Sequence, residues 1–266
     1  VTSDTAHRHV ESWMRRHAGE SVVAITDMTS AYAQINIQGP RSREVLQSLT
    51  SVDLSNAAFP FRTAREIDLG FARALCVRIT YLGELGYELY VPAEQAVHVY
   101  ERCVDAGAAY GLVHTGLKAL SSLRMEKGYR DYGVDIDNTD TPVSAGLAFA
   151  VAWDKPTTFN GKAALEALRT DRTSRLVGVL LDDPKPVLHG GEPVLKDGVW
   201  TGYLQVGAFG FTLGAPVGLA TIDHAEGVTA DWLAEPGFEV IVAGVPYQAT
   251  LSLRPFYDPD RLRIHA

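Results

Sequence analysis

The residues best suited to chemistry lie in Tyr81-Leu82-Gly83-Glu84-Leu85-Gly86-Tyr87-Glu88-Leu89-Tyr90, where carboxylates and tyrosines crowd around a glycine-containing loop. A β-branched run, Val77-Arg78-Ile79-Thr80, leads into the loop, and an apolar strand leads out of it. Residues 87, 89 and 91 share one face by the period of two, so Glu88 points the other way, beside Tyr90. A carboxylate among aromatics is costly to bury unless donors satisfy it. A flat heterocycle with two adjacent N–H donors would do so. A hairpin with Glu88 in water is the plainer alternative, and this stretch by itself favours it.

Around this stretch the sequence lays out strands and helices that would have to position it. Residues 5–17 read as a polar helix stopped by Gly19, and residues 21–26 and 31–37 as short strands around an Asp27-Met28-Thr29-Ser30 turn. Gly39-Pro40 ends the second strand and opens a helix that buries Val45, Leu46 and Leu49. Strands are expected at 66–70, 73–80 and 87–91, and helices from Pro92 and over 115–127, each with apolar residues at helical spacing. This predicts an α+β fold, with helices on one face of a mainly antiparallel sheet. From about residue 172 the helical period vanishes. Apolar runs at 176–181, 199–206, 216–222, 238–242 and 247–253 then alternate with glycine- and proline-rich turns, the pattern of a small all-β barrel or jelly-roll-like module. The expected domains are 1–171, α+β, and 172–266, all-β.

Composition narrows the partners. The net charge of −8 argues against a nucleic acid, which would want a basic face, and leaves room for an anionic small molecule in a locally basic pocket. No apolar run approaches the roughly 18 residues of a membrane span, and no secretory signal opens the chain. No membrane partner is expected, and cytoplasm or mitochondrial matrix fits. Cys76 and Cys103 lie in apolar patterns and are expected to pack as small hydrophobes; with the scattered histidines they make no ligand spacing, so no metal site is expected.

Downstream lie Leu123-Arg124-Met125-Glu126-Lys127-Gly128-Tyr129-Arg130-Asp131-Tyr132-Gly133-Val134-Asp135, then Thr141-Pro142-Val143-Ser144-Ala145-Gly146-Leu147, Phe159-Asn160-Gly161-Lys162 and Arg254-Pro255-Phe256-Tyr257-Asp258-Pro259. In this order and spacing, with the Tyr-x-Gly-Glu-x-Gly-x-Glu stretch before them, these segments resemble the tetrahydrofolate-binding region of the glycine-cleavage T-protein (aminomethyltransferase) family. The wording Glu126-Lys127-Gly128-Tyr129-Arg130 and the segment Glu66-Ile67-Asp68-Leu69-Gly70-Phe71-Ala72 resemble most closely the branch fused to flavin enzymes, the dimethylglycine and sarcosine dehydrogenases and oxidases. The resemblance runs over nearly the whole chain.

The resemblance implies the same two-part layout. It also implies capture of a one-carbon unit from a donor amine as 5,10-methylenetetrahydrofolate, after a flavin domain has oxidised the N-methyl amine to an iminium. Tetrahydrofolate is the cofactor this region would hold. FAD is expected only in an N-terminal domain preceding Val1, in cis or in trans, since no Gly-x-Gly-x-x-Gly fingerprint occurs here. By motif position Glu88 accepts the pterin N3–H and 2-amino group, and Tyr81 is the pocket tyrosine. Phe61 would stack on the p-aminobenzoyl ring, with a core role as the alternative, and Phe149 stands where T-proteins place a tryptophan against the pterin. Arg124 is read as structural, bridging helix to loop, with a folate contact as the alternative; Arg261 is a candidate for the glutamate tail, against a solvated terminus. Leu120, Val134, Ser144 and Gln205-Val206 replace polar groups common in the family. The family's catalytic aspartate belongs to a first subdomain expected upstream of Val1, so no catalytic residue is assigned and the fragment is expected to be inactive alone. A stand-alone aminomethyltransferase or folate-dependent demethylase, and a non-catalytic folate-binding or interaction module, are the alternatives.

Overall fold

In a computed structural model, the structure describes residues 6–266, and the chain divides into two compact units. The first comprises Val1–Ile79 and Leu85–Leu112; the second comprises Thr80–Glu84 and Val113–Ala266. The expected boundary at 171–172 falls inside the second unit, where a short helix gives way to strands.

The first unit holds α1 (His7–His17), β1 (Tyr32–Gln38), α2 (Ser42–Gln47), β2 (Ala64–Leu69), β3 (Ala72–Val77), β4 (Gly86–Pro92) and α3 (Ala96–Ala108). Its strands pair antiparallel in the order β1-β4-β3-β2. Alternation decides which face is covered: Ile37, Ile67, Leu69, Ala74, Tyr87, Leu89 and Val91 point into a core that Leu46 of α2 and Val99 and Cys103 of α3 complete. The opposite face carries Asn36, Leu75, Glu88 and Tyr90. Both cysteines are buried, and burial pushes the Cys76 thiol up to about 12 and the Cys103 thiol up to about 11, so both pack as inert apolar groups.

One expected strand is corrected. Residues 21–26 form no strand, although Val22, Val23, Ile25 and Thr26 carry high β propensity. Val22 and Val23 are exposed and no strand of the sheet lies beside them, so propensity has no ladder to act on. Residue 5 of the expected first helix lies outside the described residues.

The second unit holds α4 (Leu117–Glu126), α5 (Lys162–Leu168) and a closed antiparallel barrel. The barrel strands are β5 (Ser174–Leu181), β6 (Pro193–Lys196), β7 (Val199–Gly210), β8 (Ala215–Asp223), β9 (Phe238–Val242) and β10 (Val245–Ser252), with α6 (Ala230–Leu233) between β8 and β9. They close in the order β10-β5-β8-β7-β6-β9. Alternation again sorts the faces. Val177, Val179 and Leu181 of β5 and Ala220 and Ile222 of β8 fill the interior, whereas Leu176, Val217 and Leu219 pack outward on Met125 of α4. Of the two all-β architectures expected, the barrel is the one formed. β6 and α6 had no counterpart in the sequence reading; β6 is four residues long and begins on a proline, and α6 is a single turn capped by Thr229, which accepts from the Trp232 N–H at 3.2 Å.

Candidate functional site

In the first unit, β4 places Glu88 on the face opposite the core because Tyr87, Leu89 and Val91 are fully buried on the other side. Glu88 stands across from Asn36 of β1 and Val77 of β3. Its Oε2 accepts the Tyr90 hydroxyl at 2.8 Å; its Oε1 makes no hydrogen bond among the described residues. Burial and the bond to Glu88 push the Tyr90 phenol up to about 12, so it stays a donor at neutral pH. Glu88 therefore offers one whole oxygen and a remaining lone pair on the other, the acceptor pattern a ligand with two adjacent donors needs.

Phe61 lies half-buried in the turn before β2, with the Arg62 guanidinium 5.7 Å above its ring. Arg78, missed by the sequence reading, fixes that turn. It is fully buried after β3 and donates from Nη1 to the Phe59 carbonyl at 2.8 Å, while its backbone pairs with Arg62 and Thr63. A lone arginine in the apolar run 76–79 was the available signal. Phe59 itself is a core residue, packed 6.0 Å from Tyr87.

In the second unit, Tyr81 sits on the Thr80–Glu84 loop. Its hydroxyl donates to the Arg130 carbonyl at 2.7 Å, and its ring stacks on Tyr129 with centroids 5.9 Å apart and planes within 8°. Burial pushes its phenol up to about 12, opposed by the charge of Arg124. Arg124 is itself buried. It donates from Nη1 to Asp135 Oδ1 at 3.0 Å and to the Tyr129 carbonyl at 2.9 Å. Asp135 is fully enclosed; burial raises its carboxyl despite the Arg124 charge. The structure thus brings Tyr81 and Arg124 to the same stretch, residues 129–130, and engages Arg124 with protein groups.

The neighbours of Arg124 are equally engaged. Glu126 Oε1 accepts from the Thr212 and Leu213 N–H groups at 2.7 and 3.0 Å, closing the turn between β7 and β8. Lys127 donates to both the carbonyl and the carboxylate of Asp258, each at 2.7 Å. Phe149, in a 3-10 turn over Ala148–Ala150, is 70% exposed and makes no ring contact among the described residues. Arg261 is exposed, with a positive φ of 63°, and among the described residues its backbone N–H alone engages, donating to the Asp258 carbonyl at 3.0 Å. Neither joins the Tyr81–Arg124 group.

Comparison with known proteins gives two family matches. The GCVT N-terminal domain matches residues 1–155, more than half of the chain, and the glycine cleavage T-protein C-terminal barrel domain matches 174–258. The chain is 40% identical over 268 residues to 4-methylaminobutanoate oxidase (formaldehyde-forming) of Paenarthrobacter nicotinovorans, covering 99% of itself and 32% of that protein. It is 34% identical over 243 residues to mitochondrial sarcosine dehydrogenase of Mus musculus, covering 90% of itself and 26% of that protein. The chain thus spans a third or less of these relatives. The crystal structure of the glycine cleavage system aminomethyltransferase T from Bartonella henselae matches with a TM-score of 0.76 at 22% identity, over 96% of this chain and 67% of that one, a likeness of fold.

Proposed function

Because the chain belongs to the glycine-cleavage T-protein family, we propose that it is the tetrahydrofolate-binding half of a flavin-linked N-methyl amine demethylase, yielding 5,10-methylenetetrahydrofolate. The observation that carries the reading is Glu88, a half-buried carboxylate with one oxygen held by Tyr90 and the other unengaged among the described residues. Tetrahydrofolate supplies the nucleophilic nitrogens that take up the carbon. The work of this chain is to hold and orient it. Glu88 accepts the N3–H and 2-amino donors as a charge-assisted pair, about 1.5–3 kcal/mol per bond where water is excluded. Within the second unit, the Tyr81 hydroxyl is already satisfied by Arg130, so what this residue has to offer is its ring face rather than its oxygen.

The flavin half of the reading draws on the relatives. Both named enzymes act on N-methylated amino acids, and the name of one states that formaldehyde is formed. Formaldehyde stands at the oxidation level of the methylene bridge, so release into water and capture on folate are alternative fates of one carbon. The flavin and the amine would be bound by parts of the protein upstream of this chain, and no catalytic residue is assigned within it.

The test is calorimetric titration of the intact protein with reduced folate, beside a Glu88→Gln variant and a flavin assay. Saturable binding weakened in the variant, with bound flavin, supports the reading. Binding without flavin would favour a stand-alone aminomethyltransferase or a non-catalytic folate-binding module. Absence of binding would leave a non-catalytic interaction module.

A further inference from the structure

We propose that Tyr257 and Lys127 are positioning residues: with Asp258 they fix the Thr80–Glu84 loop, and through it set the Tyr81 ring for the ligand. The inference rests on the folate reading for the ligand and on the second unit alone for the mechanism.

The loop is held at successive points. Tyr81 is held by hydroxyl and ring to residues 129–130. Gly83 adopts φ +79°, and a Cβ there would lie 2.9 Å from Cγ and Cδ of Lys127, so the loop runs against the lysine stem with no space for a side chain. Glu84 accepts a hydrogen bond from the Tyr257 hydroxyl. The groups that hold the loop are themselves tied down. Tyr257 donates its N–H to the Glu126 carbonyl at 3.1 Å, which registers the segment after the barrel on the end of α4. Asp258 receives Lys127 and, on its two carboxylate oxygens, the Leu262 and Arg263 N–H groups at 2.7 and 3.2 Å. The Lys127 and Asp258 side chains are 3% and 7% exposed, so this pair is sheltered from salt and water.

Chemistry explains why such a device is useful. A loop that contains glycine samples many conformations, and an aromatic wall contributes to binding only in one of them. Each tether removes conformations before the ligand arrives. The segment that ends the fold thereby presets a ligand-facing residue far from it in sequence.

The experiment uses the intact protein with Tyr257→Phe, which deletes one hydroxyl, and Lys127→Met, which keeps the stem and removes the charge. Hydrogen exchange at the amides of residues 81–84 should accelerate about tenfold or more in Tyr257→Phe while the barrel strands keep their protection. Affinity for tetrahydrofolate should fall about tenfold in Tyr257→Phe, and the Lys127→Met loss should be at least as large. In a Tyr81→Ala background the Tyr257→Phe penalty on affinity should vanish, because Tyr257 acts through Tyr81; a general loss of stability would leave it intact. Unchanged loop exchange overturns the mechanism whatever the ligand. Accelerated exchange with unchanged folate affinity, or an affinity penalty that persists without Tyr81, overturns the positioning role. A wild type that binds no folate refutes the folate reading, and the exchange result then still decides whether the tethers hold the loop.

Discussion

Glu88 suits a two-donor ligand because Tyr90 occupies a single acceptor position of its carboxylate. Replacing it by glutamine swaps an acceptor oxygen for an amide donor, which opposes one of the pterin donors. Folate affinity of the intact protein should fall by about 10- to 100-fold, roughly 1.4–3 kcal/mol. Equal affinities of wild type and variant in a titration would remove Glu88 from the site. The orientation of Glu88 was legible because a period of two and three flanking apolar residues leave it no other face. The environment of Arg124 was not, because its partner Asp135 lies beyond a turn whose geometry no periodicity encodes. That pair makes its own prediction. Asp135→Asn strands a buried guanidinium and should cost about 3–5 kcal/mol in denaturant unfolding, whereas Arg124→Met with Asp135→Leu should recover most of the loss. A single variant as stable as the parent would mean that water reaches the pair.

At the scale of elements, the apolar period placed nearly every strand and helix, and it failed where pairing or turn chemistry decides. Residues 21–26 have the composition of a strand and no neighbour; β6 is too short to show a period. The segment after β10 has no period at all, and its place is set by polar contacts, chiefly Lys127 with Asp258. Burial by itself would raise the Asp258 carboxyl, but the Lys127 hydrogen bond and charge, with the Leu262 and Arg263 N–H groups, hold it below the usual carboxylate value. A depressed folded-state value means that the unfolded chain binds the proton more readily. The stabilisation is therefore complete above about pH 4, near the ordinary aspartate value, and is lost as pH falls through the lowered one. Stability of Asp258→Asn measured against pH should show a shallower acid limb than wild type; parallel limbs would refute the assignment. The link between α5 and β5 offers a separate check. Residues 169–173 are exposed and bridge α5 to the barrel, so trypsin should cut first at Arg169 or Arg172 and leave the barrel intact. First cleavage within β7 would contradict an independently stable barrel.

For the molecule as a whole, the question is what this chain can do by itself. It spans 32% of the methylaminobutanoate oxidase and 26% of the sarcosine dehydrogenase that it resembles. Capture of a one-carbon unit requires a ligand held in place and an acid–base group aimed at the reacting nitrogen. Glu88, with one carboxylate oxygen unengaged among the described residues, is the candidate for the first requirement. For the second, three buried or part-buried carboxylates are already committed: Asp135 to Arg124, Asp258 to Lys127, Glu126 to the turn after β7. A group so engaged is a poor proton carrier, because moving its proton breaks the contacts that hold the fold. We therefore expect the isolated 266-residue chain to bind reduced folate weakly and to form no methylenetetrahydrofolate from a formaldehyde-level donor beyond the uncatalysed condensation. The assay follows product with and without protein and subtracts the background. A protein-dependent rate that disappears on substituting a residue of this chain would place the acid–base group here, and the half-buried Glu88 would be the first residue to examine by its pH–rate profile.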